Sequence, residues 1–308
     1  MSLTSSRKGF FRIIGRYMLF ISRGIISWLP DPVFRFLTPL FVEMSKPLMG
    51  RKKHIVRENL QIAFGNEKTG AEIKAILGKY FANIGLGMIE LVYFLDRPKK
   101  IIEKVTITGK ENLDEALSKG HGVVLLSAHF GDFILMYLRM ALEGYKINCI
   151  MRRMKDAQFE EYISEYLKKN GVQKIYSLPH RQCVVQSLKC LRDNQVLFML
   201  LDQNYGEGSG VFVDFFGRQA ATATGPVVFS SRSGAPIVPI FIVREGKAGE
   251  HKIIIDPPVK LEAAQNEEAG LTRNTAQLTK IIERYIRRYP YEWGGWMHRR
   301  WKSRPVLT

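Results

Sequence analysis

Apolar residues recur at three-to-four spacing through the first hundred positions and in short unbroken runs after them. In RKKHIVRENLQIAF, and past the turn-forming GNEKTG in AEIKAILGKYFANIGLGMIELVYF, the period is helical, so residues 31–100 are expected to form helices. From about residue 103 the pattern changes: GVVLLSAH, INCIMRR, VLFMLLD and APIVPIFIV are β-branched or aliphatic runs bounded by Gly, Pro or charge. They read as strands buried on both faces. FILMYLRMALEG, FEEYISEYLKKNG and CVVQSLKCLRDN read as helices between them, and this alternation predicts an α/β sandwich.

The N-terminus, RKGFFRIIGRYMLFISRGIISWLP, places Arg12, Arg16 and Arg23 at helical spacing among Phe, Ile, Leu, Met and Trp. A spanning helix needs about 20 nearly uncharged residues, and these arginines interrupt the run. The segment therefore reads as a basic amphipathic helix lying in a membrane interface, or as one packing its apolar stripe on the protein's own core. No repeat, low-complexity tract or linker divides the chain. The expected organisation is membrane-associated helices over 1–48 and one catalytic α/β domain over 49–308.

Composition adds a partner class. A net charge of +17 over 308 residues favours polyanions: nucleic acid, acidic headgroups, phosphorylated sugars or an acidic carrier protein. The three cysteines, Cys149, Cys183 and Cys190, contain no C-x-x-C pair and argue against a disulfide framework or zinc ribbon, which suits a reducing cytoplasm. His54, His121, His180, His251 and His298 show no metal-ligand spacing, so no metal is expected.

Candidate chemistry sits at strand ends. GVVLLSAH delivers His129 to the C-terminal end of a strand, where ligands gather in open α/β sheets. A neutral imidazole there can take a hydroxyl proton if a carboxylate fixes its tautomer. Asp132 is the local candidate, or simply the N-cap of the next helix. Arg152 and Arg153 follow the strand INCI at the same edge and can grip phosphate, or form a solvated basic turn. VLFMLLD then delivers Asp202 and Gln203 into a Gly-rich loop long enough to suggest a function, and Asp202 is a candidate to orient a site group. Phe212, Phe215 and Phe216 are candidates to line an apolar slot for a chain, and Thr222, Thr224 and Gly225 for donors to an anion or oxyanion. The tail ERYIRRYPYEWGGWMHRRWKSRP interleaves Trp293, Trp296 and Trp301 with arginines. That composition suits a membrane interface, nucleic-acid stacking, or a packed basic closing helix. No helix-turn-helix, zinc-finger or RNP signature supports nucleic acid as a partner.

In chain order, RENLQIAFG, SAHFGD, the MRR turn, DQNYGEGSGVFVDFFGR, TATGP, GAPIVPIF and WMHRRWKSRP resemble the bacterial lipid A biosynthesis (late) acyltransferase family, of the lauroyl and myristoyl transferase type. The resemblance implies a glycerol-3-phosphate acyltransferase-like mixed sheet flanked by helices. It also implies transfer of a fatty acyl chain from acyl carrier protein to a hydroxyl of a lipid A precursor or related phosphorylated glycolipid, or to a lysophospholipid. The reaction would run at an anionic membrane surface, the cytoplasmic face of the bacterial inner membrane, without metal or organic cofactor. Family members usually carry an acid five residues after the histidine, where this chain has Ile134. The carboxylate partner of His129 is then Asp132, or a remote residue such as Glu90, or the chain is a non-catalytic binding relative.

Overall fold

A computed structural model describes residues 24, 26 and 28–303, apart from 155, 207–209, 247–248 and 264–265. The amphipathic segment bearing Arg12, Arg16 and Arg23 lies outside the described residues. The helical period of the first hundred positions resolves into α1 (Asp31–Met49), α2 (Lys53–Phe64), α3 (Gly70–Phe94) and α4 (Pro98–Lys104). GNEKTG is the α2–α3 turn, and its last threonine starts α3 through a capping box, Thr69 accepting from the Glu72 amide while Glu72 accepts from Thr69. The α1 helix packs on the far end of α3, where Phe34 stacks on Tyr93 at 3.9 Å between centroids.

After α4 the chain alternates: β1 (Val105–Thr108), α5 (Lys110–Ser118), β2 (Val123–Ser127), α6 (Phe133–Leu142), β3 (Ile147–Met151), α7 (Ala157–Lys169), β4 (Val172–Tyr176), α8 (His180–Arg192) and β5 (Val196–Leu200). A two-stranded hairpin, β6 (Val211–Phe215) and β7 (Arg218–Thr222), then precedes α9 (Gly225–Ser233), β8 (Ile237–Arg244), β9 (His251–Ile255) and α10 (Glu267–Arg288). The seven-stranded sheet has the order β1-β9-β8-β2-β5-β3-β4. β8, β2, β5, β3 and β4 run parallel, and β9 turns back against β8 and carries β1 parallel to itself. The mixed α/β fold is thus the expected one.

Every residue of β2 is buried, because helices cover both faces of the sheet. Val124 and Leu126 point into one core with α2, α10, Phe241 and Trp293, while Val123 and Leu125 point into the other with α6 and the end of α3. Among the described residues α3 alone is long and apolar enough to cross a membrane. It nevertheless buries Ile73, Leu77, Tyr80, Val92 and Phe94 against the fold.

It also buries a charge. Glu90 is fully buried; one oxygen accepts from the Gly249 amide at 2.5 Å, the other from the Arg244 guanidinium and from His251 Nε2 at 3.2 Å. Arg244 reaches on to Asn83 Oδ1 at 2.9 Å, so the cluster joins α3 to the β8–β9 corner. Burial alone would raise the Glu90 pKa, and His251 and Arg244 overcome it to hold the carboxyl below its ordinary range. Deleting one member of a buried pair leaves the other charge uncompensated, at a cost of about 3–5 kcal/mol. Glu90→Ala is therefore expected to lower the unfolding free energy in urea by that amount; a loss under about 1 kcal/mol would show that the cluster does not bind α3 to the sheet.

Candidate active site

Strand register builds the site. In the parallel β2–β5 pair Ser127 stands opposite Leu200, so His129 and Asp202 each lie two residues past a matched pair, on adjacent strands at the same edge. His129 Nδ1 is 2.9 Å from Asp202 Oδ1. The second carboxylate oxygen accepts from the indole Nε1 of Trp293 at 2.8 Å. The Asp202 side chain is fully buried, whereas the imidazole remains 29% exposed. Gln203 brings its amide Nε2 to 3.2 Å from His129 Nε2, on the open side.

Burial works to lower the His129 pKa, but the charge of Asp202 and its hydrogen bond outweigh this and raise it. For Asp202 burial works upward, and the imidazole and indole donors together hold the carboxyl below its ordinary range. An ionised carboxylate only accepts, so Nδ1 carries the hydrogen and Nε2 presents its lone pair to the cleft. That is the arrangement a general base requires.

The C-terminal tail, read from composition as a closing helix or an interfacial segment, folds into the core instead. Trp293 and Trp296 are fully buried, and Trp293 forms a β-bridge with Phe130. Around it the Gly131 amide donates to Glu292 O at 2.8 Å and the Gly294 amide to His129 O at 2.6 Å. Gly295 is a steric requirement, since a Cβ there would lie 2.1 Å from the Trp293 indole, while a Cβ on Gly294 would press on His129 O at 3.1 Å. Gly131, at φ 53°, turns where a Cβ would meet Ile242 O at 2.3 Å. Arg300, also buried, donates to Ala221 O at 2.6 Å and Thr222 Oγ1 at 2.5 Å, tying the tail to the hairpin.

Asp132 makes no hydrogen bond with His129. Asp132 caps α6, its Oδ1 accepting from the Leu135 amide at 3.0 Å, and its buried Oδ2 has no hydrogen-bond partner. Burial pushes its pKa up to about 6. Glu90, the remote alternative, is committed to Arg244. Ile134, in the position usual for the acid, packs beside the core beneath α6. The carboxylate therefore comes from the neighbouring strand, a source that spacing along one segment does not reveal.

Other expected residues divide. Arg152 and Arg153 emerge exposed from β3 at the same sheet edge, with the Arg153 guanidinium 4.1 Å from the Tyr176 ring centroid. Phe215 and Phe216 are core residues packed on Trp293 and Phe64, not the lining of an open slot, while Phe212 is half-buried. The Thr222 hydroxyl is buried beneath Arg300, donating to Ala220 O at 2.9 Å. Thr224 occupies the N-cap of α9 with no side-chain cap bond, and Gly225 opens that helix where a Cβ would meet Met199 Cε at 2.6 Å. Among the described residues no group of His, Cys, Asp and Glu is arranged to hold a metal.

The family of bacterial lipid A biosynthesis acyltransferases matches the chain over residues 7–303. The chain belongs to that family. It is similar to the lipid A biosynthesis palmitoleoyltransferase of Escherichia coli strain K12, at 25% identity over 90% of this chain and 88% of that one. It is also 26% identical to the lipid A biosynthesis lauroyltransferase of the same organism, over 91% and 89%. A solved 1-acyl-sn-glycerophosphate acyltransferase from Thermotoga maritima covers 83% of this chain and 96% of its own, at 13% identity and TM-score 0.37, a likeness too loose to bear on function. The protein is thus an acyltransferase, as the sequence resemblance implied.

For this acyltransferase the raised Asp132 pKa has a stability consequence. The ordinary carboxyl titrates near pH 4 and the folded one near pH 6, so the folded state holds the proton more tightly and loses stability as pH rises between those values. Asn is an equally good N-cap and stays neutral. Asp132→Asn should match the wild type at pH 4, exceed it on the order of 2 kcal/mol at pH 7.5 in urea unfolding, and leave turnover within about threefold. A turnover loss of a hundredfold would restore Asp132 to the chemistry.

Proposed function

We propose that this acyltransferase moves a fatty acyl chain from an acyl carrier protein thioester to a hydroxyl of a lipid A precursor or related phosphorylated glycolipid, with His129 as general base. The observation that carries this reading is the pairing of His129 Nδ1 with the buried Asp202, which turns Nε2 to the open edge of the sheet, where the Gln203 amide meets it. His129 Nε2 takes the hydroxyl proton as the oxygen attacks the thioester carbonyl. The tetrahedral intermediate collapses, the C–S bond breaks, and the thiolate receives the proton from the imidazolium. Asp202 holds the tautomer and stabilises the transient positive charge.

Arg152 and Arg153, at the same edge, supply guanidinium forks for a phosphate of the acceptor. The N-terminus of α9, with Thr224 and Gly225, offers further donors, whereas Thr222 supports Arg300 from within. The Gln203 amide occupies the approach to Nε2 and must be displaced by, or shared with, the acceptor hydroxyl.

A membrane surface fits the exterior. Trp28 and, on α1, Phe36, Leu40 and Met44 are 86%, 82%, 55% and 65% exposed. These residues, three of them at four-residue spacing along α1, together with the net charge of +17, favour docking on an anionic bilayer. In a bacterium making lipid A from cytoplasmic acyl carrier protein, that bilayer is the inner membrane at its cytoplasmic face.

His129→Ala is expected to abolish acyl transfer from acyl carrier protein to a lipid A precursor in membranes, and Asp202→Asn to lower kcat about 10³–10⁴-fold. Because the working base is neutral, kcat/KM in the wild type should fall as pH drops through the raised His129 pKa, above the ordinary imidazole value of about 6.5. In Asp202→Asn the acid limb should move to lower pH. Lipid mass spectrometry of cells with and without the gene names the acceptor: added acyl chains on lysophospholipid alone would replace the glycolipid, and binding of precursor with no transfer by the wild type would refute the enzyme reading.

A further inference from the structure

The dyad explains proton removal but itself holds no donor for the charge that develops on the thioester carbonyl. One imidazole outside the dyad faces the same space. The His298 ring centroid is 6.5 Å from that of His129, the rings inclined by 46°. His298 is solvent-exposed, yet its backbone is among the best anchored of the tail. Its carbonyl accepts from Asn59 Nδ2 at 2.7 Å and from the Arg300 amide at 3.0 Å, and its amide donates to Gly295 O at 2.9 Å. Asn59, itself buried on α2, also holds Trp296 O at 2.9 Å, so the turn that presents His298 is clamped to the helical layer. An exposed side chain on so fixed a backbone is positioned for a ligand.

Resting on the acyl-transfer reading, we propose that His298 is a second catalytic imidazole, donating a hydrogen bond to the thioester carbonyl oxygen as it becomes an oxyanion. The spacing fits this division of labour. At that separation a tetrahedral carbon lying to one side of the line between the two tilted rings can present its attacking oxygen to His129 and its carbonyl oxygen to His298. His129 takes the proton from the first oxygen, and His298 N–H meets the second. When the C–S bond breaks, the oxyanion returns to a carbonyl and the thiolate takes the proton from His129, so His298 keeps its own proton throughout. Its ionisation suits the part. Although the residue is exposed, partial desolvation of its ring, with the nearby charges of His129 and Lys52, outweighs Asp202 and lowers its pKa, so the ring is neutral near pH 7, with one N–H to donate. Neutrality spares the site a second imidazolium next to the one that forms on His129.

The test compares His298→Ala, His298→Gln and His298→Phe in the full chain in membranes, with acyl carrier protein donor and lipid A precursor, against the wild type and His129→Ala. Loss of one oxyanion donor typically lowers kcat about 10²–10³-fold. His298→Ala is expected to fall in that range with KM within about threefold. Gln, which keeps an N–H donor, should recover at least about tenfold in kcat, and Phe, which keeps the ring shape without the donor, should not. The exposed site makes unchanged thermal unfolding the expectation for all three, and the Gln–Phe comparison decides the matter even if Ala unfolds. Unchanged kcat, a change confined to KM, or equal rescue by Gln and Phe would overturn the proposal while a dead His129→Ala leaves the base in place. Full activity of His129→Ala would remove the acyl-transfer chemistry on which both roles rest.

Discussion

The Asp202 carboxylate, fully buried and shared between an imidazole and an indole, is the interaction on which the rest of the site depends. Burying an ionised carboxylate costs several kcal/mol even after the surroundings relax. A hydrogen bond to a charged group returns about 1.5–3 kcal/mol. The imidazole alone therefore falls short, and the Trp293 indole and the His129 backbone amide make up the difference, so the dyad is complete only with the tail closed. Trp293 supplies the second donor from more than ninety positions away, and the closure is secured by the Phe130–Trp293 bridge, the Gly294 amide on His129 O and the Gly131 amide on Glu292 O. The same segment buries Arg300 under the hairpin, where its positive charge also favours ionised Asp202.

The tail is in turn coupled to α3. Glu292 accepts from Asn83 Nδ2 at 2.7 Å and from the Arg244 amide at 3.2 Å, and Asn83 and Arg244 belong to the network that buries Glu90. A chain of satisfied polar groups thus runs from the apolar helix, through the β8–β9 corner, to the residue next to Trp293. The α1–α3 layer, which carries the exposed apolar residues, is in this way rigidly connected to the catalytic edge of the sheet.

Much of this was legible in the chain. Helical periodicity placed the first layer, and the aliphatic runs placed β2, β3, β5 and β8, because strands covered on both faces have an unmistakable apolar signature. His129 and Asp202 both stood out as polar residues delivered by such strands. Their partnership did not, since parallel register between β2 and β5 is a tertiary fact; proximity in sequence favoured Asp132, whose geometry is that of a helix cap. β4, with Gln173 and Lys174 interrupting its apolar positions, and the short β6–β7 hairpin lacked the period that marks a buried strand. Phe215 and Phe216 gave an apolar signal that core and acyl slot share, and only burial distinguishes them. The tail was hardest: Trp and Arg suit a membrane interface and a sealed core equally, and the discriminating feature, a Gly295 with no room for a Cβ, is visible only once the indole is in place.

The central claim is that His129 is held as the Nδ1–H tautomer by Asp202, with a raised pKa. Nitrogen-15 NMR of the imidazole across a pH titration tests it most directly. The account predicts a protonated Nδ1 and an unprotonated Nε2 at high pH, a titration midpoint above about 6.5, and loss of both features in Asp202→Asn. An Nε2–H tautomer, or a midpoint unmoved by removing the carboxylate, would contradict it.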